Sequence, residues 1–375
     1  MKKSIFIYQL ATVIIFLVLI ALPLFQDITH VFTLQKIEGE NKATAKFPTF
    51  DLKRLDPFPS QFTAFYNDNF PFRAFFFQVD YRIFFKKSPV KEVIIGKEKW
   101  LFLSKNGNIY QGLTSFSEKD IQFVVQNLEE RRKKYEEMGI KFYFAIAPTA
   151  YEIYPEYLPS YVFRTKKTVT DKICEKLQNT DIPFIYLKEE LLKNKTAGQL
   201  YHKNDHHWNQ LGGYFAYKAI VDLINKDFPQ IPTYTLTDFE LTSRHTKGGN
   251  LISMLNDNFQ SILDEDIIYQ AKLKDSSKRY YEVEKVGYPC IKNFPYCNEY
   301  EMSGETPLKE LPNIVIIRDS YFNAMIPFFF NSFSRSVAIF DAWQYRENMD
   351  IVSQEKPEIV LLILTEANIS GLFKK

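Results

Sequence analysis

Glycine is scarce in this chain, only 13 of 375 residues, which argues against a glycine-rich, phosphate-cradling architecture. A surplus of charge of either sign is also missing, because 47 Lys and Arg against 45 Asp and Glu leave a formal net charge of +2. Nucleic acid is therefore not the default partner, since the basic field that draws a polyanion is absent. Cysteine numbers three, with no C-x-x-C spacing, so neither zinc nor thioredoxin-like chemistry is suggested. Cys290 and Cys297 flank an aromatic, proline-containing loop and could close a local disulfide in an oxidising compartment. Cys174 lies in a helical pattern and reads as a small buried residue; none of the three reads as a nucleophile. What the chain has in abundance is ring: 35 Phe and 23 Tyr within a composition that is 46% hydrophobic and 25% charged. That composition excludes a disordered tail and a polytopic membrane protein, and the length suffices for one large or two medium domains. There are no internal repeats and no low-complexity tracts.

Only one apolar run is long enough to cross a bilayer. Ile5 to Phe25 carries no charge, and Met1-Lys2-Lys3 precedes it. Its helical length is about 30 Å, the thickness of a hydrocarbon core. The competing reading is a cleaved signal peptide, whose apolar region is usually only about 7–15 residues and ends in small residues at an A-x-A-like site. The run here is longer, and Ala21-Leu22-Pro23-Leu24-Phe25 has no such site, so an uncleaved anchor is expected. In either case Lys2 and Lys3 hold the short end in the cytoplasm and put residues from about 27 onward outside.

The expected organisation is a transmembrane anchor over 1–26, a packing arm over 27–90 and a catalytic-type α/β body over 91–375. The arm is rich in Phe and Pro, and Phe58 to Arg73 reads as short helical turns and loops. Val93 to Leu103 reads as a β-hairpin around Gly96. From Ser117 helices and strands alternate. Helices are expected from Ser117 to Gly139, over 169–177, 189–193 and 210–225, and strands over 142–147 and 183–187. Three further continuous apolar strands, 313–317, 336–340 and 358–364, are separated by helices expected over 321–331 and 350–354. Such alternation implies a mostly parallel sheet flanked by helices. Residues 230–308 break it and read as an inserted irregular or β segment.

Reactive groups in open α/β sheets gather at the carboxyl ends of the strands. Two segments stand there: Asn204-Asp205-His206-His207-Trp208-Asn209, a polar loop opening a helix, and Ile317-Arg318-Asp319-Ser320-Tyr321, where a buried strand runs into a serine. A serine is too weak a nucleophile without a base, normally a histidine oriented by a carboxylate. The chain has five histidines, three of them between 202 and 207. On the residues alone, Ser320 reads more readily as a helix N-cap than as a nucleophile, His206 and His207 could be ordinary loop residues, and the lesser alternative is a metal group of Asp205, His202 and His206 with His245 as the only remote further ligand.

Asp205-His206-His207-Trp208 is the DHHW signature, and with its surroundings it resembles the SGNH-hydrolase-like family that includes alginate O-acetyltransferases of the AlgJ and AlgX type. The resemblance extends to Asn67-Asp68-Asn69-Phe70-Pro71-Phe72-Arg73, to the hairpin Ile95 to Phe102, to Ile153 to Pro159 and to Arg318-Asp319-Ser320-Tyr321. It implies an SGNH-hydrolase-like fold and a triad of Asp205, His207 and Ser320, with His206 at the variable position between the first two. Tyr321, Arg318, Trp208 and Asn209 are further candidates for the oxyanion or the substrate, with backbone N–H groups around Ser320 and Tyr321 as oxyanion donors. Pro148-Thr149-Ala150-Tyr151 departs from relatives that carry a lysine there. No cofactor and no metal are called for.

The implied activity is transfer of acetyl groups, through an acetyl-serine, onto hydroxyls of a cell-surface or exported polysaccharide. A membrane-bound O-acyltransferase would be the acetyl source, because acetyl-CoA is cytoplasmic. An acyl esterase acting on glycans would use the same triad with water as acceptor. A non-catalytic glycan-binding scaffold would instead use Trp100, Trp208 and Trp343 as stacking platforms.

Overall fold

The computed structural model describes residues 2–31, 45–50, 56–72, 88, 90–114, 116–255, 260, 263–290, 292, 294–341 and 344–373. Arg73, Trp343 and, in the cysteine-flanked loop, Ile291 and Asn293 lie outside the described residues. The chain divides into two compact units, one of residues 1–91 with 252–263 and one of 92–251 with 264–375.

The first unit contains α1 (Lys2–Thr29), within which Tyr8–Thr29 is long and apolar enough to cross a membrane. Where turns and loops were expected, Pro57–Asn69 forms one continuous helix, α2. Two facts explain it. Pro57 sits at the helix start, where its missing N–H costs nothing, and Phe58, Phe62, Phe65 and Tyr66 recur at helical spacing.

The second unit opens on the expected hairpin, β1 (Val93–Ile95) antiparallel to β2 (Leu101–Leu103). Then come α3 (Glu118–Glu137), β3 (Lys141–Ala147), α4 (Val169–Leu177), β4 (Phe184–Tyr186), α5 (Lys188–Lys193) and α6 (Gln210–Ile224). Local chemistry sets these boundaries. Ser117 and Asp120 form a reciprocal capping box before α3, and Thr168 and Asp171 form another before α4. Beyond α3, Gly139 takes a positive φ of 75° that a side chain would disfavour.

The stretch 230–308 is not one inserted piece. β5 (Phe239–Thr246) and β6 (Asp266–Leu273) make a separate antiparallel pair, whereas β7 (Tyr281–Glu282) and β8 (Glu301–Glu305) join the main sheet. β9 (Ile314–Arg318), β10 (Arg335–Phe340), α7 (Met349–Glu355) and β11 (Ile359–Thr365) complete the unit. The sheet order is β4-β3-β11-β9-β10-β8-β7. Its first five strands are parallel, and β8 and β7 add antiparallel pairs at one side. The expected α/β architecture, a mostly parallel sheet flanked by helices, is the one found.

Period-two alternation divides the strands between two cores. Tyr143, Ala145, Ile316 and Leu361 pack with α6, while Phe142, Phe144, Val315 and Leu362 pack with α3 and α4. The helix expected over 321–331 is instead a 3₁₀ segment, Ser320–Met325, a short α-turn, Ile326–Phe329, and a last 3₁₀ turn. Pro327 cannot donate a backbone bond to the preceding turn, which breaks continuity there. Cys290 and Cys297 are joined by a disulfide. Cys174 is half-buried, and burial pushes its thiol up to about 12, which leaves it unreactive.

Candidate active site

The loop before α6 is a tight antiparallel turn. Tyr201 and Trp208 form a bridge, and the His202 N–H donates to the His207 carbonyl at 3.1 Å. Asn209 then caps α6, its side-chain oxygen accepting from the Leu211 and Gly212 amides at 3.0 and 3.1 Å. Such a cap is worth about 1 kcal/mol and fixes where the loop ends and the helix begins. Gly212 and Gly213 allow close approach on both sides. A Cβ on Gly212 would lie 2.4 Å from the Leu200 carbonyl oxygen, and one on Gly213 would lie 2.6 Å from that of Ala324. α6 therefore packs directly on the segment that follows Ser320.

The two motif segments meet. His207 Nδ1 lies 2.7 Å from Asp205 Oδ1, and His207 Nε2 lies 2.7 Å from Ser320 Oγ. The His207 amide also donates to Asp205 Oδ1 at 3.0 Å, and the Asn250 amide donates to Asp205 Oδ2 at 2.8 Å. Burial pushes the Asp205 carboxyl up, but the hydrogen bond from His207, the adjoining imidazoles and the Asn250 amide outweigh it and hold the group well below the usual range. Asp205 is thus an ionised acceptor aimed at Nδ1, which fixes Nε2 as the nitrogen facing the serine. Further bonds lace the segments together. Trp208 Nε1 donates to the Tyr321 carbonyl at 2.6 Å, and the Tyr321 hydroxyl donates to the His206 carbonyl at 2.6 Å.

His206 takes a different place. Its ring lies tilted against that of His207 with centroids 3.9 Å apart, and its buried Nδ1 has no hydrogen-bond partner. Burial and then the charge of His207 lower its pKa to about 3, so it is neutral. His202 turns to Asp266, 3.4 Å away, and leaves the metal group first considered. Asp205, His206 and His207 do lie close enough to share an ion. An ion on His207 would have to displace Asp205 from Nδ1 or Ser320 from Nε2, so this set suits a proton relay better than a metal.

The secondary candidates serve the frame. Arg318 is fully buried, donating to Asn323 Oδ1 at 2.8 Å and to the Glu299 carbonyl at 2.9 Å, with its guanidinium 4.4 Å from the Phe340 ring centroid. Burial lowers its pKa to about 10, still cationic at neutral pH. Asn209 is occupied by its cap, and Trp208 is 1% exposed. Trp100 is likewise buried, stacked 4.8 Å from Tyr157. Neither tryptophan is a sugar platform; Trp343 lies outside the described residues. The Tyr321 amide donates to Asp319 Oδ1 at 3.0 Å, so it is already engaged and the Ser320 amide remains as the backbone donor at the turn.

Asp319 is the residue that sequence reasoning passed over. Its buried carboxylate accepts from the Tyr321 amide, and its Oδ2 accepts from the Thr365 amide at 2.7 Å, the Tyr345 hydroxyl at 3.1 Å and Asn368 Nδ2 at 3.2 Å. It clamps the serine turn to the end of β11. An aspartate directly before the serine at a strand end was the signal, an N-cap preference that merges into the motif. Gly249 is a second omission. At φ 145°, a Cβ there would stand 2.3 Å from the Asn204 carbonyl oxygen, and the next residue supplies the amide that holds Asp205. Thr149, in the loop after β3, is buried with its amide and hydroxyl bonded to Glu366 at 2.7 and 2.8 Å.

Residues 93–266, just under half the chain, match the family model of the SGNH hydrolase-like domain of acetyltransferase AlgX. The match holds Asp205 and His207 and stops short of Ser320, and over that span it confirms the resemblance read from the DHHW signature. Among solved structures, Bacillus cereus PatB1 superposes with a TM-score of 0.57 at 18% identity, covering 75% of this chain and 98% of its own. A DHHW family protein of Eubacterium siraeum gives 0.52 at 20% identity, covering 75% and 93%. The O-acetyltransferase domain of Pseudomonas putida AlgJ gives 0.50 at 15% identity, covering 74% and 92%. At these identities the likeness is one of fold. No curated protein sequence matches the chain.

Proposed function

Proceeding from the AlgX-type match, we propose that this chain is a membrane-anchored O-acetyltransferase that acetylates hydroxyls of a cell-surface or exported polysaccharide through an acetyl-Ser320 intermediate. The observation that carries the proposal is the relay Asp205–His207–Ser320, two contacts of 2.7 Å in series. In the first half-reaction His207 Nε2 takes the Ser320 proton while Oγ bonds to the carbonyl carbon of an acetyl donor. The donor's leaving group departs with that proton from His207. In the second, His207 takes a proton from a sugar hydroxyl, whose oxygen attacks the acetyl-serine. Ser320 Oγ then leaves and recovers the proton. Asp205 keeps Nδ1 protonated and stabilises the transient imidazolium. The Ser320 amide donates to the oxyanion of each tetrahedral intermediate.

α1 is taken as the anchor, residues 27–90 as the arm between anchor and body, and a membrane-bound O-acyltransferase as the outside source of acetyl groups. No cofactor is needed, because the nucleophile, base and orienting acid are all side chains of this chain.

The test is acceptor use. The full chain in detergent is given an activated acetyl ester with and without oligosaccharides, and the sugars are analysed by mass spectrometry. Acetylated sugar that depends on Ser320 supports transfer. Fast ester hydrolysis with no acetylated sugar, accompanied by acetate release from a natively acetylated polymer, identifies an esterase. Glycan affinity without turnover identifies a binding protein.

A further inference from the structure

α1 does not stand alone in its unit. α2 packs along it, and the Tyr66 hydroxyl donates to the Leu19 carbonyl at 3.2 Å. Leu19 lies seven residues before Gln26, where the uncharged run ends, hence about 10 Å inside it along the helix axis. α2 is thus held beside the apolar run rather than beyond its end. It is amphipathic, with Phe58, Phe62, Phe65 and Tyr66 on one face and Ser60, Thr63 and Asn67 on the other. Asp68 is the only charged residue within it, and its carboxylate accepts from the Ala45 amide at 3.0 Å.

The segment 45–50 lies across the aromatic face. Phe47 contacts Phe65 at 5.1 Å and Phe50 contacts Phe58 at 5.2 Å between ring centroids. These rings are not sealed inside the unit, since Phe47 is 44% and Phe50 61% exposed. The result is an aromatic surface beside α1, whose Leu17, Leu24 and Phe25 also face outward; Lys46, exposed in the same segment, has the long stem that lets a charge reach headgroups.

We propose that segments 45–50 and 56–72 form a second membrane contact, an interfacial aromatic element seated in the outer leaflet against α1, with lipid as its occupant. The inference rests on the anchor reading of α1. Lipid is favoured because the surface joins the flank of a helix that itself needs lipid, because its depth matches the roughly 5–10 Å burial of interfacial helices, and because aromatic rings favour that layer.

The test uses the full chain in phosphatidylcholine vesicles, with Cys174→Ser and one reporter cysteine at a time carrying a polarity-sensitive fluorophore. Phe62→Cys and Phe50→Cys report on the element, and Val13→Cys reports on the anchor. Lipids carry a nitroxide near the headgroup or near the chain end, and aqueous iodide is the opposing quencher. The expected result is Val13 quenched best by the deep nitroxide, and both aromatic-site reporters quenched about twofold better by the shallow nitroxide than by iodide. A Val13 reporter untouched by either lipid overturns the anchor and the inference together. Val13 quenched by lipid, with both aromatic-site reporters quenched only by iodide, overturns the inference alone. Shielding of those two sites that vanishes as protein is diluted in lipid identifies a second copy as occupant and also overturns it.

Discussion

Two aspartates of the site, Asp205 half-buried and Asp319 buried, are used in opposite ways. Asp205 spends one oxygen on the ring and amide of His207 and the other on the Asn250 amide. Asp319 spends its two oxygens on backbone amides, a tyrosine hydroxyl and an asparagine amide, none of which ionises near neutral pH. The first is arranged to stabilise a charge that appears and disappears on His207. The second holds the Ser320 turn to the end of β11 and has no charge to follow. Residue type is the same and both carboxylates have hydrogen-bond partners on each oxygen; the partner decides whether a carboxylate is chemical or architectural.

That contrast can be broken by substitution. His207→Ala removes the base and should cut acyl-ester turnover at least about 10³-fold, and Asp205→Asn should fall into the same range, both with soluble, folded protein. Ester hydrolysis rates set beside urea midpoints measure this, and a near-normal rate in either variant would sink the relay. Asp319→Ala should show the reverse emphasis. Four donors, three of them in buried bonds, lose their acceptor, so a loss of about 2–4 kcal/mol in unfolding free energy is expected, with a larger shift in midpoint than for Asp205→Asn. Equal midpoints would erase the distinction.

Gly249→Ala tests the remote support of Asp205. The added Cβ meets the Asn204 carbonyl oxygen in a backbone conformation that alanine avoids. The cost should be about 1–3 kcal/mol with a roughly tenfold loss of rate, read by the same two assays. A variant with unchanged kinetics would mean that the Asn250 amide contributes nothing to the carboxylate's orientation.

The smallest effect separates the adjacent histidines. His206 is neutral in the fold, with its pKa lowered from 6.5 to about 3. Unfolded chains take up a proton below pH 6.5 and the folded form resists it, so stability is full above pH 6.5 and falls as pH drops towards 3. At pH 5 the loss is about 2 kcal/mol. His206→Phe should remove that part of the acid sensitivity while keeping much of the turnover. Urea midpoints at pH 7 and pH 5 that shift by the same amount in both proteins would contradict it.

Much of this was legible in the chain because chemistry and periodicity were local. The strands over 142–147 and 358–364 are continuous apolar runs, α3 and α4 begin at capping boxes, and Asp205-His206-His207-Trp208 is contiguous. The remainder depended on contacts distant in sequence. Asp319 meets Thr365 and Asn368 across nearly fifty residues, and Asn250 reaches back to Asp205 from a stretch that carries no period of its own. β8 has only a short, mixed-polarity pattern and finds its place beside β10 through the antiparallel ladder. The helix expected after Ser320 failed for a local reason, Pro327, that hydrophobic periodicity outweighed. Arg318 misled because an arginine beside a serine suggests a substrate contact, whereas the last residue of a central strand can equally point inward.

The central claim is that Ser320 carries the acetyl group between two half-reactions. The direct test is intact-protein and peptide mass spectrometry of the full chain after brief exposure to an activated acetyl ester without acceptor. An added acetyl mass on the peptide bearing Ser320, lost on addition of acceptor and absent from Ser320→Ala and His207→Ala, is the predicted result. Turnover of the ester by Ser320→Ala at the wild-type rate, or an acetyl group that accumulates on another residue while Ser320 stays unmodified, would contradict it.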